Sequence, residues 1–335
     1  MKKKTAIFTT AAAVIVVAAL IIFDAVQPRF YISSFFSMNT YCSAEVESKN
    51  PEKDFAEIQN IVKNLDLNIL SRTAENSVVY NLNKNGEAEL EPDIAEYFTL
   101  LADVSKQSEG AFDFTLGAVS DLWNFGSTPS IPDNKKLSEA LSHSGYKKVD
   151  LSGSKIALGD KNAVVDFGAS GKGIALDSIA AYLDSQKISR AVITVGGSVL
   201  LYGKGDFTVG IRDPKGSSSS IISIKTESTC VSTSGSYEQY FEENGKRYHH
   251  ILSPETGYPV DNGLVSVTVI SESGMLSDAL STACFVLGIE KGTSLAEHYG
   301  AKVIFITDDN TIHTDNETKN MLSVIDNNYR FAEAE

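Results

Sequence analysis

The chain has 335 residues, of which 42% are hydrophobic and 21% are charged, and its formal net charge is −14 at pH 7. This composition is typical of a folded protein with a large core, not of a disordered chain. The negative net charge argues against a protein that binds duplex nucleic acid, because such proteins need clustered Lys and Arg to displace counterions. We therefore expect no nucleic-acid partner.

The N-terminus has the pattern of an exported or membrane-anchored protein. Lys2, Lys3 and Lys4 precede an uncharged run over residues 6–23. That run is about long enough to cross a bilayer, and the lysines before it predict a cytoplasmic N-terminus and an exported body. Residues 1–30 are predicted to be a membrane anchor or signal segment, and residues 31–335 one domain on the extracytoplasmic side of the cell membrane. We favour an uncleaved transmembrane helix, although a signal peptide cleaved near Ala25 is the alternative.

The three cysteines, Cys42, Cys230 and Cys284, are far apart in the sequence and odd in number. Their spacing fits neither a zinc site nor a disulfide framework. We expect them to be small buried residues within strands and a helix.

Hydrophobic spacing predicts the main elements in chain order. Helices are expected over residues 54–70, 92–108, 133–144, 174–183 and 275–287. Extended segments are expected over residues 35–46, 147–151, 155–158, 163–167, 190–195, 199–202, 207–212, 220–226, 264–271 and 301–307. Because hairpin-length connections outnumber βαβ crossovers, the sequence predicts an α+β fold of mixed, largely antiparallel sheets with packed helices.

Residues 166–173 read Asp-Phe-Gly-Ala-Ser-Gly-Lys-Gly, a strand end followed by a small-residue loop and a helix start. The small residues let backbone amides approach a ligand, and the helix amides with Lys172 favour an anion. The spacing is not that of a Walker loop. A plain tight turn is the alternative interpretation.

A second segment combines an acid with hydroxyl groups. Asp278 and Thr282 are four residues apart on a predicted helix, hence on one face, and Ser281 is adjacent. A carboxylate, hydroxyls and loop carbonyls form the all-oxygen shell that Mg²⁺ accepts. Alternatively, Asp278 only caps or complements the N-terminus of its helix.

Two adjacent histidines precede a proline-bounded loop over residues 254–259. In an extended segment, one of His249 and His250 points inward and the other outward. The rigid loop suits a positioned acid or base, whereas a structural histidine is the alternative.

An aromatic-rich stretch follows the helix predicted over residues 92–108. Asp113 lies at its start, and Trp123 and Phe125 follow. These aromatic residues form either part of the core or a wall for a flat ring.

Together these segments resemble the ApbE family of FAD-dependent FMN transferases, formerly called thiamine-biosynthesis lipoproteins. The resemblance extends from about Met38 to Asn328. It implies a fold of the ApbE type, which is T-fold-like. The matching segments are Met38-Asn39-Thr40, Ala111-Phe112-Asp113, residues 122–126, residues 166–173, Val195-Gly196-Gly197, residues 232–237, residues 250–259 and residues 277–283.

The resemblance implies an enzyme that cleaves FAD, attaches FMN to a Thr or Ser hydroxyl of a target protein and releases AMP. The positions that hold the flavin and adenine correspond to Met38, Thr73, Ala111, Phe112, Asp113, Asp166, Lys172 and Leu252. The Mg²⁺ positions correspond to Ala169, through its carbonyl, and to Asp278, Ser281 and Thr282. The histidine of the family falls on His250, the expected general base.

The sequence departs from the family in ways that affect the metal and the anchor. Position 281 is Ser where some members have Asp, which reduces the negative charge of the expected metal site. No cysteine follows the apolar run closely, so a transmembrane helix would replace a lipid anchor. The sequence contains no acceptor motif, and we expect the FMN acceptor to be a separate exported flavoprotein. A pyrophosphatase that releases FMN and AMP from FAD, or a non-catalytic flavin-binding protein, is the alternative.

Overall fold

The computed structural model describes residues 27–217 and 219–333. The apolar run of residues 6–23, with its predicted transmembrane helix, lies outside the described residues. Among the described residues, no helix is both long and apolar enough to cross a bilayer. The first strand begins at Arg29, close to the domain start that we expected at residue 31.

Helices form where the apolar spacing follows the helical repeat. Pro51 and Pro92 each begin a helix, where the fixed φ of proline suits the first turn. A π-helical segment, Leu65–Leu70, continues the first helix. The α-helices are α1 (Pro51–Asn64), α2 (Val78–Asn85), α3 (Pro92–Gln107), α4 (Gly117–Trp123), α5 (Asn134–His143), α6 (Gly171–Gln186), α7 (Gly274–Leu287), α8 (Ile289–His298) and α9 (Asn316–Lys319).

Strands near one edge of the large sheet, such as Thr40–Ser48 and Arg190–Val195, alternate between buried and more exposed residues. Leu264–Ser271 and Lys302–Thr307 are buried along most of their length, as expected for strands covered on both faces. The strands are β1 (Arg29–Ser37), β2 (Thr40–Ser48), β3 (Glu87–Glu89), β4 (Val149–Ser152), β5 (Lys155–Leu158), β6 (Arg190–Val195), β7 (Ser198–Gly203), β8 (Phe207–Arg212), β9 (Ser220–Thr226), β10 (Thr229–Gly235), β11 (Tyr240–Glu243), β12 (Lys246–His249), β13 (Leu264–Ser271), β14 (Lys302–Thr307), β15 (Thr311–His313), β16 (Leu322–Val324) and β17 (Arg330–Phe331).

A nine-stranded sheet in the order β1-β2-β6-β7-β10-β13-β14-β15-β17 organises the domain. Its neighbouring strands are antiparallel, apart from the parallel pair β15 and β17. Two smaller three-stranded sheets, β16-β9-β8 and β3-β5-β4, and the hairpin β11-β12 complete the described fold. The predicted α+β class with largely antiparallel sheets is confirmed.

The nine-stranded sheet is covered differently on its two faces. Helices α1, α6 and α7 pack on one face and enclose the main apolar core. The sheet β16-β9-β8 contributes Ile211, Ile222 and Ile224 to a second core, together with Val231 and Ile304 of the large sheet. The outer face of β1 and β2 lies at the opposite end of the large sheet from β14, β15 and β17.

The N-terminal turns of α6 and α7 approach each other at a pair of glycines. A Cβ at Gly173 would lie 2.1 Å from the carbonyl oxygen of Gly274, so any larger residue would force the helices apart. This close approach brings the loop before α6 next to the first turns of α7. It therefore determines where Lys172 and Asp278 meet.

Two predicted extended segments were wrong in detail. Residues 35–46 form a hairpin instead of one strand, because Met38 and Asn39 both adopt positive φ angles of 49° and 55° in a two-residue turn. Residues 163–167 form no strand beyond a bridge between Val164 and Leu116. The Asn83 side chain replaces a strand partner there, since it bonds both the N–H and the carbonyl of Val165.

The cysteine prediction is confirmed. Cys42 lies in β2, Cys230 in β10 and Cys284 in α7, and all three are buried free thiols. Burial raises the pKa of Cys42 to about 11 and that of Cys284 to about 12. These thiols are therefore protonated and unreactive at neutral pH.

Candidate functional site

Asp278 is buried where α6 and α7 meet, with only 2% of its surface exposed. Its Oδ2 accepts a hydrogen bond from the backbone N–H of Gly173 at 3.0 Å. Its Oδ1 lies 3.2 Å from the Ser198 hydroxyl and 3.5 Å from the Lys172 ammonium. The carboxylate thus points away from its own helix and toward the loop that precedes α6.

The N-terminus of α7 does not depend on Asp278. Ser273 caps this helix by accepting from the N–H of Leu276. Asp177 of α6 accepts from the N–H groups of Gly274 and Met275 at 2.6 and 2.9 Å. Because these groups already satisfy the first turn, the capping interpretation of Asp278 is wrong.

Lys172 places a positive charge between the loop and α7. Its ammonium donates to the carbonyl oxygen of Gly168 at 3.4 Å and pairs with Asp278. Burial alone would lower the pKa of Lys172, but the carboxylates of Asp278 and Glu238 outweigh it and raise that pKa. A cation is therefore held between a loop carbonyl and a buried carboxylate.

The other three predicted metal positions lie nearby but do not converge on the carboxylate of Asp278. The Ser281 and Thr282 hydroxyls lie 2.7 and 3.2 Å from the Ser234 hydroxyl of β10. Ser281 also donates to the backbone carbonyl of Asp278. Ala169 follows Gly168 in the loop and packs against the main core.

The two histidines have different environments. His249 is 6% exposed, with Nε2 2.8 Å from the carbonyl of Val260 and Nδ1 accepting from the N–H of Ile251. It is the structural histidine of the pair. His250 is half-buried, and its Nδ1 lies 3.3 Å from the carbonyl oxygen of Gln239.

His250 is neutral at physiological pH. Burial, and then the positive charge of Lys172, lower its pKa to about 4. A carbonyl oxygen can only accept a hydrogen bond, so the Nδ1 contact with Gln239 places the ring proton on Nδ1. The lone pair of Nε2 is then available as a proton acceptor.

An ion pair joins Asp166, a predicted flavin-holding position, to the residue that precedes Thr73, another such position. Arg72, beside Thr73, contacts Asp166 at 3.1 Å and also pairs with Asp121. The N–H of Asp166 donates to the carbonyl of Phe114 at 2.8 Å, which connects this loop to the segment of residues 111–115. Thr73, Asp166 and residues 111–113 therefore lie in one neighbourhood.

The Asp113 carboxylate is hydrogen-bonded mainly to neighbouring parts of the protein. Its carboxylate accepts from the N–H and hydroxyl of Thr115 and from the N–H of Tyr146. Burial raises its pKa. Ala111 is half-buried beside it, and Phe112 is buried in the main core.

Met38 occupies the turn of the hairpin β1-β2. Its N–H donates to the carboxylate of Asp66 at 2.6 Å, which fixes the turn against the π-helical segment. Gly196 has a φ of 58°, and a Cβ there would lie 2.9 Å from the Thr40 hydroxyl and 3.3 Å from the Lys172 side chain. The hairpin tip therefore adjoins Lys172.

The aromatic residues at the end of α4 belong to the core. Trp123 is fully buried, donates through Nε1 to the carbonyl of Gly257 at 2.8 Å and stacks on Phe125. Leu252, a predicted flavin-holding residue, is 8% exposed and packs into the same cluster. Of the two interpretations of Trp123, the core interpretation is confirmed.

The comparisons with known proteins identify the family. The model of the ApbE family matches residues 38–305. The chain belongs to the ApbE family.

Relatives of this ApbE chain include a protein from Treponema pallidum (strain Nichols) named FAD:protein FMN transferase. It is 31% identical over 327 residues, which cover 89% of this chain and 90% of the relative. A protein of the same name from Klebsiella pneumoniae (strain 342) is 34% identical over 66% of this chain and 71% of its own.

Solved ApbE structures have the same fold. The ApbE protein of Thermotoga maritima superposes with a TM-score of 0.80 at 31% identity, over 88% of this chain and 99% of that chain. The apo flavinyl transferase ApbE of Pseudomonas stutzeri gives a TM-score of 0.76 at 26% identity, over 88% and 97%.

Sequence reasoning missed two charged residues of the ApbE chain. Glu238 follows the small-residue segment of residues 232–237, and its carboxylate acts on Lys172. Arg72 precedes Thr73 and bonds Asp166. Each of the two residues lies beside a segment that resembles the family, and this position could have indicated a role in the site. Single charged residues in loops are usually solvated, however, so the position alone does not identify them.

The polar groups around Lys172 differ from those of a zinc site. Among residues 27–217 and 219–333, no group of three or more His, Cys, Asp or Glu side chains could hold a metal ion. The oxygens near Lys172 come from one carboxylate, from loop carbonyls and from hydroxyls. Such a donor set suits a hard cation rather than zinc.

Proposed function

We propose that this chain is a Mg²⁺-dependent FAD:protein FMN transferase, anchored in the cell membrane by its N-terminal segment, which modifies exported flavoproteins. Two relatives that match much of the chain are named FAD:protein FMN transferase. The single observation that best supports this activity is the contact of Lys172 with Asp278 next to a neutral His250.

The start of α6 fits a diphosphate. The N–H groups of Gly171 and Gly173 already donate to the Phe167 carbonyl and to Asp278. The Lys172 ammonium and the positive end of the helix dipole therefore supply the attraction for an anion. The Ser170 hydroxyl is buried in the same turn and has no hydrogen-bond partner among the described residues. The proposed substrate, FAD, would place its phosphates against this turn.

The same region fits a magnesium ion. The Lys172 ammonium already lies between the carbonyl of Gly168 and the carboxylate of Asp278, so the surroundings favour a cation. Asp278 and the Ala169 carbonyl would hold Mg²⁺, and the hydroxyls of Ser281 and Thr282 would join them by giving up their contacts with Ser234. When bound, Mg²⁺ neutralises charge on phosphoryl oxygens and on the departing AMP.

His250 would act as the general base. Its Nε2 accepts the proton of the acceptor Thr or Ser hydroxyl while the hydroxyl oxygen forms a bond to the phosphorus of the FMN half. The bond from that phosphorus to the bridging oxygen breaks, and AMP leaves with the electron pair. General-base assistance of this kind contributes roughly 10²- to 10⁴-fold to a rate.

The proposed location follows from the N-terminal sequence. Three lysines precede the apolar run of residues 6–23, which would orient the folded domain to the extracytoplasmic side. The acceptor would then be an exported protein with an exposed Thr or Ser.

The test is incubation of the full-length chain in lipid nanodiscs with FAD and Mg²⁺, with and without an exported candidate acceptor. We expect mass spectrometry to show one FMN added to the acceptor, equimolar AMP, and no reaction after chelation of the metal. Free FMN and AMP with an unmodified acceptor would identify a pyrophosphatase instead. FAD binding without AMP release would identify a non-catalytic flavin-binding protein.

A further inference from the structure

The edge strand β1 exposes a row of large apolar side chains. Phe30, Ile32 and Phe36 alternate along one side of the strand and are 60%, 69% and 58% exposed. Tyr41 of β2 pairs with Phe36, is 78% exposed and meets its ring edge to face at 5.5 Å. We name these four residues the hairpin patch.

The rest of the same sheet is covered. The inward residues of β2, including Cys42, Ala44 and Val46, are buried in the main core, against which α1 packs. The sheet β16-β9-β8 packs against β7, β10, β13, β14 and β15 residues, at a distance from the β1 edge. Three exposed large apolar residues on one face of an edge strand, interrupted only by Ser34, are a feature that soluble surfaces avoid, so they indicate a contact.

The position of the strand in the chain indicates what the contact is. The apolar run ends at Phe23, and six residues lie between Phe23 and Phe30, which makes seven steps along the chain. Such a segment spans at most about 25 Å when fully extended. If the apolar run is inserted in a bilayer, as proposed above, the hairpin patch cannot lie far from the lipid headgroups.

We propose that the hairpin patch rests on the headgroup region of the bilayer in which the N-terminal segment is anchored. This inference rests on the proposed membrane anchorage. Tyr41 suits this interface because its ring is apolar and its hydroxyl is polar, and Phe30, Ile32 and Phe36 supply apolar surface beside it.

The charges near the hairpin patch favour lipid over a second copy of the chain. Glu47 and Glu45 of β2 pair with Phe30 and Ile32, and hence lie on the same face. A symmetric dimer through this face would bring the glutamates of both copies together, and like charges oppose such an interface. A bilayer can instead contact the apolar side chains at the edge of β1 while Glu45 and Glu47 of β2 stay in water.

The contact has a consequence for the reaction. Met38, at the turn between Phe36 and Tyr41, adjoins Lys172 through Thr40 and Gly196. Contact of the hairpin patch with lipid would therefore hold the proposed FAD site close to the membrane surface. Acceptors whose Thr or Ser lies near the bilayer would be favoured.

The experiment places a fluorescent label on the full-length chain in liposomes. Single variants Ile32→Cys and Phe36→Cys test the hairpin patch, and Ile325→Cys, 55% exposed beside β16, is the matched control. The three native cysteines are buried, so an uncharged thiol reagent labels the introduced cysteine selectively. Quenching is measured with headgroup-labelled nitroxide lipids and with aqueous iodide.

We expect lipid quenching at positions 32 and 36 to exceed that at position 325 at least threefold, with the reverse order for iodide. Equal quenching at all three positions in protein that floats with the vesicles would overturn the contact and leave the anchorage intact. Protection from iodide that persists in detergent and disappears on dilution would show a second copy instead. Protein that fails to float would overturn both, whereas FMN transfer on the same liposomes reports the activity separately.

Discussion

The place where α6 and α7 begin compares directly with the aromatic cluster around Trp123. The sequence allowed either a structural or a functional role for the residues of each region. The structure favours a functional role at the helix starts and a structural role in the aromatic cluster. At the helix start, Asp278 and Lys172 are drawn from their own helices into a shared polar contact beside His250. In the aromatic cluster, the rings contact one another and the Trp123 N–H is satisfied by a backbone carbonyl. Asp278 and Lys172 hold the starts of the two helices together and also place opposite charges beside a histidine, which indicates a site, whereas mutually packed rings indicate stability.

The largest expected effect separates the two histidines. We expect His250→Ala to lower the rate of FMN transfer by about 10²- to 10⁴-fold with FAD affinity unchanged, because it removes the base and no hydrogen bond that supports the core. His249→Ala is the control. It should lower the melting temperature while the folded fraction keeps its transfer rate, since His249 bonds only Val260 and Ile251. Equal rate losses in both variants would contradict this division.

The next effect tests the aromatic cluster. We expect Trp123→Ala to reduce the free energy of unfolding by about 3–5 kcal/mol, the usual loss for a buried large aromatic residue. Urea unfolding followed by circular dichroism measures it. FAD affinity of the folded variant should equal that of the parent protein. A weaker FAD affinity without lost stability would instead make Trp123 a wall of the flavin site.

A smaller effect tests the metal position. Asp278→Asn removes a charged oxygen donor, and we expect Mg²⁺ affinity to fall at least as far as on loss of an outer-shell partner, roughly 10- to 100-fold. Isothermal titration with Mg²⁺ in the presence of FAD measures this. Asp177→Asn is the matched control, because Asp177 bonds the first turn of α7. Asp177→Asn should lower the free energy of unfolding and leave Mg²⁺ affinity unchanged. Loss of Mg²⁺ affinity in Asp177→Asn, with normal affinity in Asp278→Asn, would contradict the assignment of the metal to Asp278.

The smallest effect concerns pH. Because burial and Lys172 lower the pKa of His250 to about 4, its base form predominates above that pH. We expect transfer to be constant from pH 5 to 8 and to fall with one proton near pH 4. The same lowered pKa makes His250 oppose folding as the pH drops from about 6.5 to 4, since the unfolded chain binds this proton first. An activity midpoint near 6.5 would contradict the environment of His250.

The sequence predicted the fold class and the longer elements because their apolar spacing extends over several turns or residue pairs. It missed the β1-β2 turn, where Met38 and Asn39 adopt positive φ without a glycine to signal it. It also could not show that the Asn83 side chain replaces a strand partner for Val165. Both features depend on contacts between residues distant in the sequence.

The sequence predicted which segments form the candidate site but not how their side chains are arranged. Residues 166–173 and 277–283 were chosen from their composition and family resemblance, and the Gly173 and Gly274 contact brings them together. Ser273 and Asp177 already accept the N–H groups at the start of α7. The Asp278 carboxylate can therefore point toward α6. No pattern in the sequence indicated that Arg72 pairs with Asp166.

The most direct test is a crystal structure of the protein with FAD and Mn²⁺, in which anomalous scattering locates the metal. The account predicts one peak beside the Asp278 carboxylate and the carbonyls of residues 168–169, with the Lys172 ammonium moved toward the FAD phosphates. A metal bound elsewhere, with Lys172 still paired to Asp278 and no phosphate at the start of α6, would contradict it.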